Sequence, residues 1–181
     1  MSPDQSDNGH RAADLETIVV DPEDVIEMMR RNARDESRQC NHSLRITPPF
    51  DGEVRAKHHT SQQGNRYPPE ISVKPIHLGA SVFLAGHTNY HYPAFPESCR
   101  YPNRQEERAR FRDQFGYKND DGSYRQLTGD EEQEWEEWWS NVIEVWENSV
   151  RANLKEEVIF GDIVGGETVK TRVGIRYESD D

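Results

Sequence analysis

Two histidine settings in this chain are where chemistry would be sought first. In "EVRAKHH", Glu53 to His59, two imidazoles end a run that also carries Arg55 and Lys57. In "GHTNYH", His87 and His91 stand four apart, with Cys99 further along. Imidazole nitrogen is a frequent metal ligand, and three or four His, Cys or carboxylate groups converging tetrahedrally make a zinc site. Histidines four apart serve one ion when their segment is helical. Here Gly86 and Pro93 mark the segment as loop, and neither HExxH nor CxxC occurs. A metal-dependent hydrolase using His87 and His91, with zinc as cofactor, is therefore the alternative reading. The leading expectation is a polar loop and no cofactor.

Other catalytic patterns are missing from the sequence. There is no GxSxG elbow, no Walker loop and no GxGxxG; "GDIVGGE" reads as glycine at a hairpin turn. The chain is expected to be a binding or regulatory protein and not a catalyst. In "RITPPFDGEVRAKHH", alternation puts Leu44 and Ile46 on one face and Arg45 and Thr47 on the other. Across an Asp51-Gly52 turn, Val54, Ala56 and His58 share one face, and Glu53, Arg55, Lys57 and His59 the other. Arg45, Arg55 and Lys57 then stand together, with His59 beside them. Like charges on paired strands repel, so acids of the same chain or an anionic partner must offset them. Tyr90 and Tyr92 of the irregular 86–102 loop complete the candidate contact surface. A nucleic-acid partner would add Arg104, Arg108, Arg110 and Arg112, with Tyr101 as a further stacking group. A protein partner, or a structural place in a larger complex, needs none of these.

The elements that must hold such a surface follow from pattern. "DLETIVV" is a strand. "DPEDVIEMMRRNAR" is a helix, with Asp21 as cap, Pro22 in the first turn, acids at its start and arginines at its end. "HSLRIT", "EVRAKHH" and "EISVKPI" read as strands, the last with Ile71 and Val73 inward; "SVFLA" suits strand or helix. "NRQEERARFRDQFG" reads as a helix from Asn103 to Gly116. From Thr128 a long helix carries Trp135, Trp138, Trp139, Val142, Ile143, Trp146, Val150 and Leu154 at three- and four-residue intervals, the spacing of a core face. "EVIFGDIVGGETVKTRVGIRYE" closes the chain as a hairpin.

The order is β-α-β-β-β-α-α-β-β. It predicts an α+β fold: a single domain over residues 14–178, with a mostly antiparallel sheet covered on one side by helices, after a disordered tail at 1–13. Hydrophobic residues make up only 33% of the chain, so the four tryptophans must supply much of the core.

Charge narrows the setting. Acids outnumber bases 34 to 22, and among the bases there are 17 arginines and 5 lysines. An acid-rich, lysine-poor chain suits a salt-saturated cytoplasm, where the Debye length falls to about 3 Å at 1 M. Net charge is −7 over residues 1–29, +6 over 30–112 and −11 over 113–181, so a basic middle lies between acidic flanks. No stretch is long and apolar enough to span a membrane, and the first residues lack the pattern of a signal peptide. The expected location is the cytoplasm. Cys40 and Cys99 suggest no disulfide framework.

The run "DPEDVIEMMRRN" followed by "LRITPPFDGEVRAKHH" resembles a family of uncharacterised proteins from halophilic archaea. The likeness extends from Asp14 to Tyr177 through the Trp-bearing helix, its "SVRANL" end and the closing hairpin. "RITPPFDGEVRA" is its most specific part. The resemblance implies a halophilic origin and no particular activity.

Overall fold

The computed structural model describes residues 14–35, 40–62, 67–68, 70–71, 73–84, 88–89, 92–93, 96–164 and 167–179. They fall into two compact units, one made of the residues up to 93 together with those from 153 onward, the other of Pro96–Ala152. The fold is α+β, as expected.

The first unit begins with β1 (Leu15–Val20) and α1 (Pro22–Arg34). α1 starts where the sequence demands: the Asp21 carboxylate accepts the Glu23 N–H at 2.8 Å, and Pro22 needs no partner for its nitrogen. Glu27 then clamps Arg30 and Arg31 at 2.9 and 2.7 Å. The Arg31 guanidinium holds the Glu27 carboxyl below its ordinary value. Val25, Ile26, Met28 and Met29 are buried, and α1 packs on β2 (Cys40–Ile46) and β4 (Lys57–Gln62). At its end, the Asn32 side chain takes both backbone groups of His42: Nδ2 donates to the carbonyl at 2.8 Å and Oδ1 accepts the N–H at 2.9 Å.

Two larger sheets are found among the described residues of this unit. Sheet A has the order β3-β1-β9-β8, with β3 (Gly52–Arg55), β8 (Glu157–Val164) and β9 (Glu167–Tyr177). β8 and β9 form the expected antiparallel hairpin. β1 runs parallel to both its neighbours, with Ile18 opposite Val54 on one side and Ile175 on the other. Such a position, hemmed by strands, suits the β-branched run at Ile18, Val19 and Val20, all buried. Sheet B is antiparallel throughout, with the order β4-β2-β5, where β5 is Ile76–Leu78.

The stretch expected as one strand, "EVRAKHH", serves both sheets. Ala56 is buried, and its N–H donates to the Val19 carbonyl at 2.9 Å. Residues before it pair with β1; residues after it pair with β2. The expected strand at Ile71 and Val73 is also displaced. It forms at Ile76–Leu78, immediately after Pro75, while Ile71 and Val73 are exposed. Proline cannot donate to a ladder, so pairing starts only beyond it. "SVFLA" resolves as a short helix, α2 (Ala80–Phe83). The Phe83 carbonyl receives the Lys155 N–H at 2.8 Å, and Leu84 bridges to Leu154. Two short strands, β6 (Thr88–Asn89) and β7 (Tyr92–Pro93), pair with each other.

The second unit holds a 3-10 turn (Glu97–Cys99), α3 (Arg104–Gln114) and α4 (Gly129–Ala152). Asn103 caps α3 by accepting the Gln105 and Glu106 N–H groups, and Gly116 follows it with φ 73. Glu131 caps α4 by accepting the Thr128 N–H at 2.8 Å. Arg125 beside it holds that carboxyl at about 2. The tryptophan stripe does face inward, and what receives it within this unit is α3 together with the loop residues Tyr101, Tyr117 and Leu127. Phe111 of α3 meets Trp135 and Trp138 with ring centroids 5.6 and 5.8 Å apart. Tyr101 stands edge-on to Trp146 at 5.0 Å, and Trp146 Nε1 donates to the Cys99 carbonyl at 3.0 Å. The Arg104 and Arg108 guanidiniums lie 6.0 and 5.6 Å from the Trp135 ring.

Trp135 is fully buried, so Trp135→Ala should cost about 3–5 kcal/mol of stability. Trp135 Nε1 has no hydrogen-bond partner, so Trp135→Phe, which keeps a ring and removes that donor, should cost clearly less. Denaturant titration of both variants checks the order.

Candidate functional site

Sheet B has two faces of different character. Leu44, Ile46 and Leu78 are buried on the face toward α1. His42 and His58 share that parity, with rings stacked 5.4 Å apart. The Thr60 hydroxyl lies 3.1 Å from His42 Nδ1. His58 Nε2 is buried with no hydrogen-bond partner. Burial pushes this imidazole below the ordinary histidine value, and Arg31 and His42 push the same way against Asp24 and Glu27.

The opposite face carries the basic groups. Arg45 on β2 stands directly across from Lys57 on β4 and from His77 on β5. His59 is paired with Ser43. β4 and β5 flank β2, so His59 and His77 start two strand spacings apart, roughly 9–10 Å. Their rings nevertheless meet at 4.9 Å. They lean toward each other across Ser43, whose small side chain leaves the room and is itself only 6% exposed. The Ser43 hydroxyl lies 3.2 Å from His77 Nδ1, and the Tyr67 hydroxyl hydrogen-bonds His77 Nε2. Burial lowers both imidazoles, and Arg45 lowers them further; His59 adds its own effect on His77. Two neutral rings therefore lie beside two fixed cations.

Three of the residues read from the sequence, Arg45, Lys57 and His59, come together here. Arg55 does not join them. It sits in sheet A beyond the Ala56 corner, bonded to Glu178 at 3.2 Å. The α3 arginines are also engaged: Arg104 with Glu136 at 2.5 Å, Arg108 with Glu132, Arg110 with Glu107 at 2.5 Å, and Arg112 over the Tyr124 ring. Tyr101 is packed on indoles. His87, Tyr90 and His91 lie outside the described residues; of Tyr92 the backbone pairing with Asn89 is defined. Among the described residues no three His, Cys, Asp or Glu side chains are placed to hold a metal ion, and no helix is long and apolar enough to cross a membrane. Cys99 is buried, which pushes its thiol up.

Ser43, Tyr67 and His77 are the members that sequence reading missed. His77 was hidden by the misplaced strand, because a one-residue error in register reverses every facing. Its signal was "PIHL", a proline followed by alternating residues.

His58, His59 and His77 are all lowered in the folded chain. Unfolded, they bind protons near the ordinary value of about 6.5. Below that pH the unfolded state holds more protons, so folding stability is fully present above it and falls as pH drops through the lower folded values. The denaturant midpoint should therefore decline from about pH 7.5 to about pH 5.5. His58→Gln should flatten that slope.

No curated protein and no solved structure matches the chain. A family model does match residues 4–175, nearly the whole sequence, and the chain belongs to that family, described as Domain of unknown function (DUF8009).

Proposed function

We propose that this chain is a non-catalytic, cytosolic binding protein that takes an anionic ligand on the face of sheet B away from α1. The contact residues are Arg45, Lys57 and His59, joined by His77. One observation carries the reading. Among the described residues, Arg45 and Lys57 have no carboxylate in ion-pairing range, although they face each other across paired strands. Elsewhere this acid-rich chain supplies a partner: Arg55, Arg104, Arg108, Arg125, Arg172 and Arg176 all meet glutamates. A half-buried arginine opposite an exposed lysine, left without an acid, is repulsive unless an anion from outside completes it.

The acid-rich, lysine-poor composition supports a salt-rich medium, in which such binding relies on short-range hydrogen bonds more than on long-range attraction. The test is calorimetric titration with sulfate, at a KCl concentration where circular dichroism shows the chain folded. Arg45→Ser with Lys57→Ser should weaken binding at least about tenfold, the loss of roughly one charge-assisted contact. Arg55→Ser should leave it unchanged. Equal affinity of the wild type and the Arg45/Lys57 variant sinks the reading.

A further inference from the structure

His77 has an unusual pair of partners. Both ring nitrogens are hydrogen-bonded, and both partners are hydroxyls, Ser43 at Nδ1 and Tyr67 at Nε2. A hydroxyl donates or accepts by rotating its O–H bond. A neutral imidazole has one N–H and one bare nitrogen, so one hydroxyl accepts while the other donates. An imidazolium has two N–H groups, and both hydroxyls then accept. His77 can therefore gain a proton with both hydrogen bonds kept and no side chain moved. A backbone N–H in either place, able only to donate, would not allow this.

What opposes the proton is charge and burial. The groups facing this pair come from every strand of sheet B: Arg45 on β2, Lys57 and His59 on β4, His77 on β5, with the Tyr67 hydroxyl alongside. None of them is acidic. With the face empty, a proton on either imidazole meets a neighbouring ring at 4.9 Å and the Arg45 guanidinium. An anion seated among these groups removes that repulsion. A singly charged anion is balanced by Arg45 or Lys57 alone. A doubly charged one offsets both and can favour a third positive charge when its desolvated oxygens need donors.

Resting on the anion-binding reading above, we propose that the ligand is a doubly charged phosphoryl group, as on a phosphomonoester or free phosphate, and that seating it draws a proton onto the His59–His77 pair. The phosphoryl oxygens accept from Arg45, Lys57 and the His59 ring. His77 stores charge beneath them through its two hydroxyls. Phosphodiesters, with one charge per phosphate, are poor ligands for this arrangement. The site thus discriminates terminal phosphates from polymer backbone, and it binds more tightly as pH falls toward the histidine range.

The experiment is calorimetry on the full chain in pairs of buffers with different ionisation enthalpies, which reads proton uptake directly. The probes are sulfate, doubly charged at every pH used, inorganic phosphate, phenyl phosphate, and a dinucleotide with a single internal diester. For sulfate at about pH 7 the expected uptake approaches one proton per ion, with affinity rising up to about tenfold per pH unit on acidification. The diester should bind at least about tenfold more weakly than phenyl phosphate. Phenyl phosphate tighter than inorganic phosphate identifies an esterified ligand; the reverse order identifies the free ion. His77→Asn should lose most of the uptake. Tyr67→Phe, which leaves His77 one hydroxyl short, should reduce it while conserving the ring. Sulfate binding with no proton uptake, or a diester bound as tightly as the monoester, overturns this inference and leaves the anion-binding reading standing. Binding insensitive to Arg45→Ser and Lys57→Ser overturns both.

Discussion

A single backbone hydrogen bond sets which side chains meet in the first unit. The Ala56 N–H is held by the Val19 carbonyl, so Ala56 is the last residue tied to sheet A and Lys57 the first tied to sheet B. A continuous extended strand would put Arg55, Lys57 and His59 in one row. Turning the chain at Ala56 instead sends Arg55 to Glu178 and delivers Lys57 and His59 to the row opposite Arg45 and Ser43. Strands that pass from one sheet to another do so at a bend or bulge, and Ala56 at this one is buried. The basic face is thus a product of sheet geometry as much as of composition.

Much of the fold was legible because its signals are local. Asp21 and Pro22 start α1, and Asn103 and Gly116 bracket α3. Each is a matter of a cap or a turn within a few residues. That Arg45 and Lys57 share a face followed from alternation on their strands, although the chain between them passes through sheet A. The Ala56 corner was not legible, because alternation continues unbroken through it and only a distant carbonyl reveals the change of sheet. His77 was hidden by a strand start that Pro75 delays. The inward face of the tryptophans was clear from their spacing, but periodicity names a buried face and not its partner. That partner turned out to include Phe111 and Tyr101.

Composition and structure meet in the arginines. A chain with few aliphatic residues uses guanidiniums twice over in its second unit. Arg104 and Arg108 lay their planes near indole rings and at the same time reach glutamates one helix away. Flat, weakly hydrated and permanently charged, arginine can do both, where lysine would do one. This gives a physical reason for arginine's predominance over lysine that is independent of salt. It also throws Arg45 into relief, since no glutamate among the described residues pairs with it.

The parallel seating of β1 has a consequence for how the molecule comes into being. Its neighbour β9 is registered through Thr17 against Gly174 and Val20 against Tyr177, partners from opposite ends of the sequence shown. Contacts so far apart along a polypeptide form late. While a ribosome is still at work, the apolar edge of β1 has only β3 to lean on, and the sheet stays unfinished until the closing hairpin has emerged. Sheet B, with its nearer partners, can be in place long before, so the basic face is assembled ahead of the scaffold that steadies it.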